Sequence, residues 1–382
     1  MREMVKLCDI CDFQGGSQPP KEEWSFEKKD DYIRMLQIRD FTQQATTVPE
    51  YIKKSKTMKT CQSDDVLIAR YGASLGKILT GLSGAYNVAI MKTTPDTSKL
   101  QKKYLFYYLT SQLFQGYILN VGSRAAQAGF NKNDLNDLLI PLPPLSEQRH
   151  IAAVLDKVSE LIALRKRQLD LLDEMVKARF VEMFGDPVRN EKGWDQLPLI
   201  QACKAIFGGG TPSKSHPEYY NGNTPWVTPK DMKRTLITDS IDHITDDAIK
   251  NSTTNLVPQN SVLMVIRSGI LKHTLPVAIN IIPVTINQDM KAFITDELIS
   301  PIFLMYYFKS IESDVLSGVR GVTADNIDFK TFQRSLIPIP PIELQNQFAD
   351  FVQQVEKSKA TVQQGLDRLN LLKSALMQEY FG

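Results

Sequence analysis

The segment Gly72-Ala-Ser-Leu-Gly76 has the Gly-x-Ser-x-Gly spacing of a nucleophile elbow and follows the strand-like run Val66-Leu-Ile-Ala69. A serine hydrolase also needs a helix after that turn and a histidine base. The residues that follow are poor helix material, the duplicated position Gly269-Ile-Leu-Lys272 has no serine, and only His150, His216, His243 and His273 could serve as base. Extended to Lys77, the same stretch is not a phosphate loop. It has three residues between its glycines instead of four, and Ile78 stands where a Mg²⁺-binding Ser or Thr belongs. A DNA methyltransferase would carry an Asn/Asp-Pro-Pro-aromatic site, yet Pro-Pro occurs only at 19–20, 143–144 and 340–341, after Gln, Leu and Ile. The cysteines, Cys8, Cys11, Cys61 and Cys203, form one Cys-x-x-Cys pair and two remote singles, whereas a structural zinc site needs four ligands in paired clusters. The expectation is a non-catalytic chain without a metal site.

Should the partner be nucleic acid, recognition would fall to particular side chains. Arg, Lys, Asn and Gln match the donors and acceptors on base edges. At duplicated loop positions the candidate DNA contacts are Arg39, Arg70, Lys77, Arg124 and Lys132 in the first half, and Lys214, Lys230, Arg267, Lys272 and Arg320 in the second. Gly208-Gly-Gly-Thr-Pro-Ser-Lys214 could cradle a phosphate through backbone N–H groups. The net charge of +2 neither demands nor excludes an acidic partner, because steering depends on where charges lie. Only residues 1–138 lean basic, with 19 basic against 15 acidic side chains. Tyr107, Tyr108, Tyr306 and Tyr307 have apolar neighbours and are read as core, not as stacking platforms.

These residues are positioned by a repeat. Leu139-Ile-Pro-Leu-Pro-Pro-Leu runs into a charged stretch ending Glu182-Met-Phe-Gly185, and 197 residues later Leu336-Ile-Pro-Ile-Pro-Pro-Ile runs into one ending Glu379-Tyr-Phe-Gly382. The prolines lack N–H donors and hold their predecessors extended, so each helix starts after them. The seam positions of the first, with steps of four and three, are Ile151, Leu155, Val158, Ile162, Leu169, Leu172, Val176 and Met183, interrupted by Arg165 and Arg179. Those of the second are Phe348, Val352, Val355, Val362, Leu366, Leu369, Leu376 and Tyr380, interrupted by Lys359 and Lys373. Such a stripe, sustained over more than four heptads, is a coiled-coil seam. Two helices of equal length and equal seam in one chain pack on each other, and the path of the chain makes them antiparallel.

The remaining stretches echo each other too: Gly15-Gly-Ser-Gln-Pro and Gly209-Gly-Thr-Pro-Ser, Ile38-Arg-Asp and Pro229-Lys-Asp, Arg70-Tyr-Gly and Arg267-Ser-Gly. The expected fold is therefore α+β with an internal pseudo-twofold repeat. A mixed α/β domain over 1–138 is followed by a Pro-rich lead and long helix over 139–185, then a second domain over 186–335 and a second lead and helix over 336–382. No apolar run reaches the roughly 18 residues of a membrane span. Met1-Arg-Glu-Met-Val-Lys6 has no apolar core for a signal peptide, so the cytoplasm is the expected compartment.

The doubled Pro-x-Pro-Pro lead, with Pro141-Leu-Pro-Pro-Leu-Ser-Glu-Gln148, the long helices ending in Phe-Gly, and Gly210-Thr-Pro-Ser213 followed by Pro225-Trp-Val-Thr-Pro-Lys-Asp231 carry a resemblance. Over its whole length the chain resembles the specificity subunit of type I restriction-modification systems. The resemblance implies two target-recognition domains, each reading one half of a split, asymmetric sequence in double-stranded DNA, with the helices setting the spacing and docking methyltransferase subunits. It further implies two methyltransferase and two restriction subunits as partners, which would hold S-adenosylmethionine, ATP and Mg²⁺, with none of these cofactors in this chain. A scaffold holding two protein-binding domains apart on a coiled coil is the alternative. One departure is that the second copy reads Ile342-Glu-Leu-Gln345 where the first reads Leu145-Ser-Glu-Gln148, so the start of the second helix is expected to shift by a residue or two.

If the helices separate two readers, four residues inserted into both, after Asp170 and after Asp367, add about 6 Å at about 1.5 Å per residue and nearly restore the seam. At about 3.4 Å per base pair the unspecified spacer should lengthen by one or two base pairs while both half-sites keep their sequence. Methylation mapping reads this directly. An active double insertion that keeps the original spacing would remove the helices from that role.

Overall fold

The computed structural model describes residues 3–56, 58–122, 129–319 and 326–382. They form two compact units, one of residues 1–166 and 364–382, the other of residues 167–363. These divisions fall inside the long helices, not at their ends where the sequence boundaries were drawn. Each globular part packs against half of each helix, and the two cuts are themselves 197 residues apart.

In the first unit Cys11–Gly15, Ile90–Pro95, Leu67–Ala69 and Ile78–Leu79 make a four-stranded antiparallel sheet, in that order. A second sheet runs Trp24–Ser25, Glu50–Lys53, Tyr32–Leu36, Gly84–Tyr86 and Thr60–Cys61, with a parallel pair at Met35↔Ala85. The second unit repeats the plan. Ala205–Gly208, Met290–Ile294, Val262–Val265 and Val277–Asn280 are extended by Leu236–Ile237. The other sheet, Asp242–Ile244, Thr224–Val227, Val284–Ile286 and Leu256–Val257, keeps the parallel pair at Trp226↔Thr285. In both, the Pro-rich lead is itself a strand: Leu139–Pro141 pairs Met4–Lys6, and Leu336–Pro338 pairs Gln196–Pro198.

The long helices span Leu145–Phe184 and Ile342–Phe381. Both begin at the same repeat position, so the expected shift of the second start does not occur. The reason lies three residues in. Gln148 is fully buried; its Oε1 accepts the Gln101 amide at 2.9 Å, and its Nε2 donates to the carbonyls of Lys99 at 2.7 Å and Pro143 at 2.8 Å. Gln345 does the same with Ser300, Leu298 and Pro340. Each glutamine thus ties its first helical turn to the Pro-rich lead and to the N-terminal end of a domain helix, Lys102–Thr110 or Pro301–Ser310.

Within each unit the helix halves run antiparallel. In the second, Lys359 donates to Asp173 at 2.8 Å while, further along, the rings of Phe348 and Phe180 stand 5.4 Å apart. In the first, Ile151 and Leu155 share a core with Phe381, whose ring packs on Tyr104 and Tyr108. At the seam positions Ile151, Leu155, Val158, Val176, Phe348, Val352, Val355, Val362 and Leu366 are buried, and Ile162, Leu169, Leu172 and Leu369 are half-buried. The interruptions are accommodated individually: Arg165 is exposed, Arg179 pairs with Glu182 at 2.8 Å, and Lys359 binds Asp173 and Glu356. Tyr107, Tyr108 and Tyr307 are buried and Tyr306 is half-buried. No helix among the described residues is long and apolar enough to cross a membrane.

Gln345→Leu fills similar volume but leaves the Ser300 N–H and two carbonyls without their side-chain partner, and should cost at least about 2 kcal/mol. Glu343→Gln, on the exposed side of the same turn, should stay within about 0.5 kcal/mol. Urea unfolding of the two variants compares them, and equal effects would remove the glutamine from this role.

Candidate nucleic-acid interface

Each unit places one of its recognition candidates, Arg70 or Arg267, at a repeated turn. In the first, the Asn87 amide donates to the Leu36 carbonyl at 3.1 Å, and Gly16 lies against the Asn87 carbonyl so closely that a Cβ would stand 2.2 Å from the oxygen. In the second, the Asn287 amide donates to Val227 at 3.0 Å, and a Cβ on Gly209 would stand 2.0 Å from the Asn287 oxygen. The duplicated Gly-Gly pairs are therefore points of close backbone approach. They seat the loop after the first sheet strand on the turn that leads into the strand Ile90–Pro95 or Met290–Ile294.

Arg70 and Arg267, 197 residues apart, both meet this turn. The Arg70 amide donates to the Ala89 carbonyl at 2.8 Å, and the Arg267 amide to the Asp289 carbonyl at 3.2 Å. Their guanidinium groups are held differently. Arg70 donates from Nε to Phe130 and from Nη1 to Val88, both backbone carbonyls at 3.2 Å, and lies 4.9 Å from the Tyr71 ring centroid. Arg267 donates from Nε to Asp289 Oδ1 at 2.6 Å, with Nη2 also 2.6 Å from that oxygen.

A second loop follows the strand on the far side of the turn. Gln37 and Thr228 lead into it, and each backbone amide donates to an aspartate three residues on: Gln37 to Asp40 at 2.9 Å, Thr228 to Asp231 at 2.8 Å. Asp40 is buried and paired with Arg34 at 2.7 Å, while Asp231 also accepts the Ile241 amide at 2.8 Å. This anchoring displays Arg39 and Lys230. Arg39 is engaged by Glu50, whereas Lys230 is exposed with no ion pair among the described residues.

The other candidates are scattered more widely. Lys77 is exposed at the end of the hairpin joining Leu67–Ala69 to Ile78–Leu79, and Lys214 is exposed in the Gly-rich loop, neither with an ion pair among the described residues. Lys132 is engaged by Asp12, which holds its ammonium pKa above the ordinary value. Lys272 is exposed in the turn Gly269–Lys272. Arg124 and Arg320 lie outside the described residues. The structure thus brings Arg70 and Arg267 to the two central turns and Arg39 and Lys230 to the loop beside each, and leaves Lys77 and Lys272 in hairpin turns, Lys214 in the Gly-rich loop and Lys132 in the short turn Lys132–Leu135. Sequence reasoning missed the residues that orient these cations, Asp40, Asp231, Asn287 and Asp289. Its signal for the first two was already in the matched Ile38-Arg-Asp and Pro229-Lys-Asp triplets. Lys53, Lys54, Lys56 and Lys59, at the end of the strand Glu50–Lys53 and beyond it in sequence, were likewise not among the candidates.

Gly72–Ser74 is a single turn inside the hairpin, closed by Gly76 N to Ala69 O at 2.9 Å, and not the strand-to-helix turn of a nucleophile elbow. The thiols are similarly quiet: burial pushes Cys11 and Cys203 up to about 12 and Cys61 to about 11. Among the described residues no group of three His, Cys, Asp or Glu side chains could hold a metal ion.

Residues 2–174 and 191–371 match the type I restriction modification DNA specificity domain. The chain belongs to that family. It is 32% identical over 298 residues to the specificity subunit of the Escherichia coli type I restriction enzyme EcoR124I/EcoR124II, covering 73% of this chain and 69% of that one. It is 22% identical over 408 residues to the MjaIX specificity subunit of Methanocaldococcus jannaschii, covering 98% and 91%. Among solved structures, a chain of a type I R-M system superposes with a TM-score of 0.62 at 20% identity, covering 99% of this chain and 97% of that one. A type I S subunit from M. genitalium gives 0.59 at 14% identity, covering 100% and 96%. At these identities the structural likeness speaks for the fold.

Gly209→Ala forces a Cβ onto the Asn287 carbonyl and should destabilise by about 1–3 kcal/mol, whereas Gly269→Ala, with nothing within 4 Å of its Cβ, should be near neutral. Thermal unfolding of both separates a required close approach from a general loss of loop freedom.

Proposed function

We propose that the chain is the non-catalytic DNA sequence-specificity subunit of a type I restriction-modification enzyme, and that it reads a bipartite, asymmetric site in double-stranded DNA. One half-site belongs to each globular part. Methyltransferase and restriction subunits, two of each, dock on it and bring S-adenosylmethionine, ATP and Mg²⁺. Family membership supports the specificity role. The observation that carries the two-reader reading is that one recognition plan occurs twice with different side chains at matching points: Arg70 beside Ala89, Arg267 beside Asp289. Two copies with the same plan at this turn and differently held arginines suit two different base sequences.

The isolated chain should methylate, cleave and hydrolyse nothing, with activity appearing only when the partner subunits are added. The assembled complex should bind its site with a logarithmic affinity that falls linearly with log salt. Exchanging residues 1–138 for another recognition domain should change one half-site and leave the other intact, as mapped by methylation in cells. Methyl transfer by the chain alone would overturn the non-catalytic reading. Salt-insensitive or absent DNA binding by the complex would favour a protein-binding scaffold.

A further inference from the structure

The two arginines at the repeated position present different donor edges. A guanidinium carries five N–H groups in a fixed plane: Nε and Nη2 along one side, Nη1 and Nη2 across the end. On Arg267 the side edge is taken by a single carboxylate oxygen, Asp289 Oδ1, at 2.6 Å from both nitrogens. The end edge, Nη1 with the outer Nη2 proton, is engaged by no described residue, and the side chain is 47% exposed. On Arg70 one nitrogen of the end edge, Nη1, is donated to Val88.

Asp289 is itself immobilised. Its Oδ2 accepts Asn287 Nδ2 at 3.0 Å, its amide donates to Asn287 Oδ1 at 3.1 Å, and its carbonyl accepts the Ile266 and Arg267 amides at 2.8 and 3.2 Å. Asn287 is buried, bonded to Val227 and covered by Gly209. The carboxylate is therefore a fixed support, and a charge-assisted contact on it fixes the plane of the guanidinium before any ligand arrives. Two parallel donors at one end of a rigid plane complement two adjacent acceptors in a plane, and among the base edges in the major groove that is N7 and O6 of guanine.

We infer that Arg267 reads a guanine in the half-site of the second unit through its end edge, and that Asp289 is the positioning residue that makes this reading selective. The first unit has Ala89 at the matching point and lacks this device. The inference rests on the DNA-reading function proposed above.

The test uses the chain assembled with its methyltransferase subunits, on duplexes in which each base pair of the mapped site is varied in turn. Arg267→Lys keeps the charge and leaves the Asn287–Asp289 pair intact but removes the fork; Asp289→Ala keeps the arginine and removes its support. Both should lose preference at the same single position, a guanine in one half-site. The loss should be about 10- to 100-fold for Arg267→Lys and about tenfold for Asp289→Ala. Every other position should keep its wild-type preference, and Arg267→Lys should keep the salt slope. Unchanged preference at every position, loss at a base other than guanine, loss at two different positions, or a uniform weakening on all sequences would each overturn the inference. If instead the wild-type complex shows no sequence preference at all, the proposed function itself fails.

Discussion

A single buried side chain in each half organises the architecture. Gln148 and Gln345 have no solvent to satisfy their amides, and an unpaired amide in such a place costs free energy comparable to several ordinary contacts. The cost is avoided only if three pieces of backbone arrive together: the Pro-rich lead, the first helical turn and the chain just before a domain helix. The prolines make the lead stiff and leave its carbonyls free, and the glutamine supplies the missing donor. Helix start, helix direction and attachment of the globular part are consequently set by one constraint. This explains why the second helix begins in register even though its neighbouring residues differ from the first.

Around this frame the recognition surface is built on close backbone approach. Gly16 and Gly209 allow one loop to lie on the carbonyls of a turn that also accepts an arginine from the adjacent strand end. Because the contacts of the turn are mostly main-chain, the side chains upon it are free to differ between copies. Ala89 and Asp289 occupy matching points without disturbing the fold, yet they leave Arg70 bound to carbonyls and Arg267 bound to a carboxylate. The result is a separation: a scaffold satisfied by backbone bonds, and side chains on it satisfied locally.

The helix seam shows the same division. Its apolar positions bury branched residues, and the seam residue Phe348 joins Phe180, Phe184 and Phe303 in a cluster of rings that ties helix to domain in the second unit. Of the cations that interrupt the stripe, Arg179 and Lys359 are paired with acidic neighbours. Lys359 is surrounded by Asp173 and Glu356, which hold its pKa above the ordinary value against the effect of burial. Lys373 has Lys166 for a neighbour, and burial together with that like charge lowers its pKa.

The helices, their seam, the offset of 197 residues and the family were legible in the sequence, because they rest on periodicity and on prolines whose effect is local. The ten candidate cations were found by residue type and repeated position, and that information says which side chains can face a base but not which ones do. Arg39 is engaged by Glu50 from the next strand, Lys132 by Asp12, 120 residues away, and Arg267 by Asp289 beside a paired strand that two others separate from it in sequence. The boundaries of the compact units also fell within the helices, since half of each helix packs on each globular part. Periodicity and backbone stiffness act between near neighbours and can be read along the chain. Ion pairing and close backbone approach act between residues that only folding brings together, so the tertiary structure alone decided them.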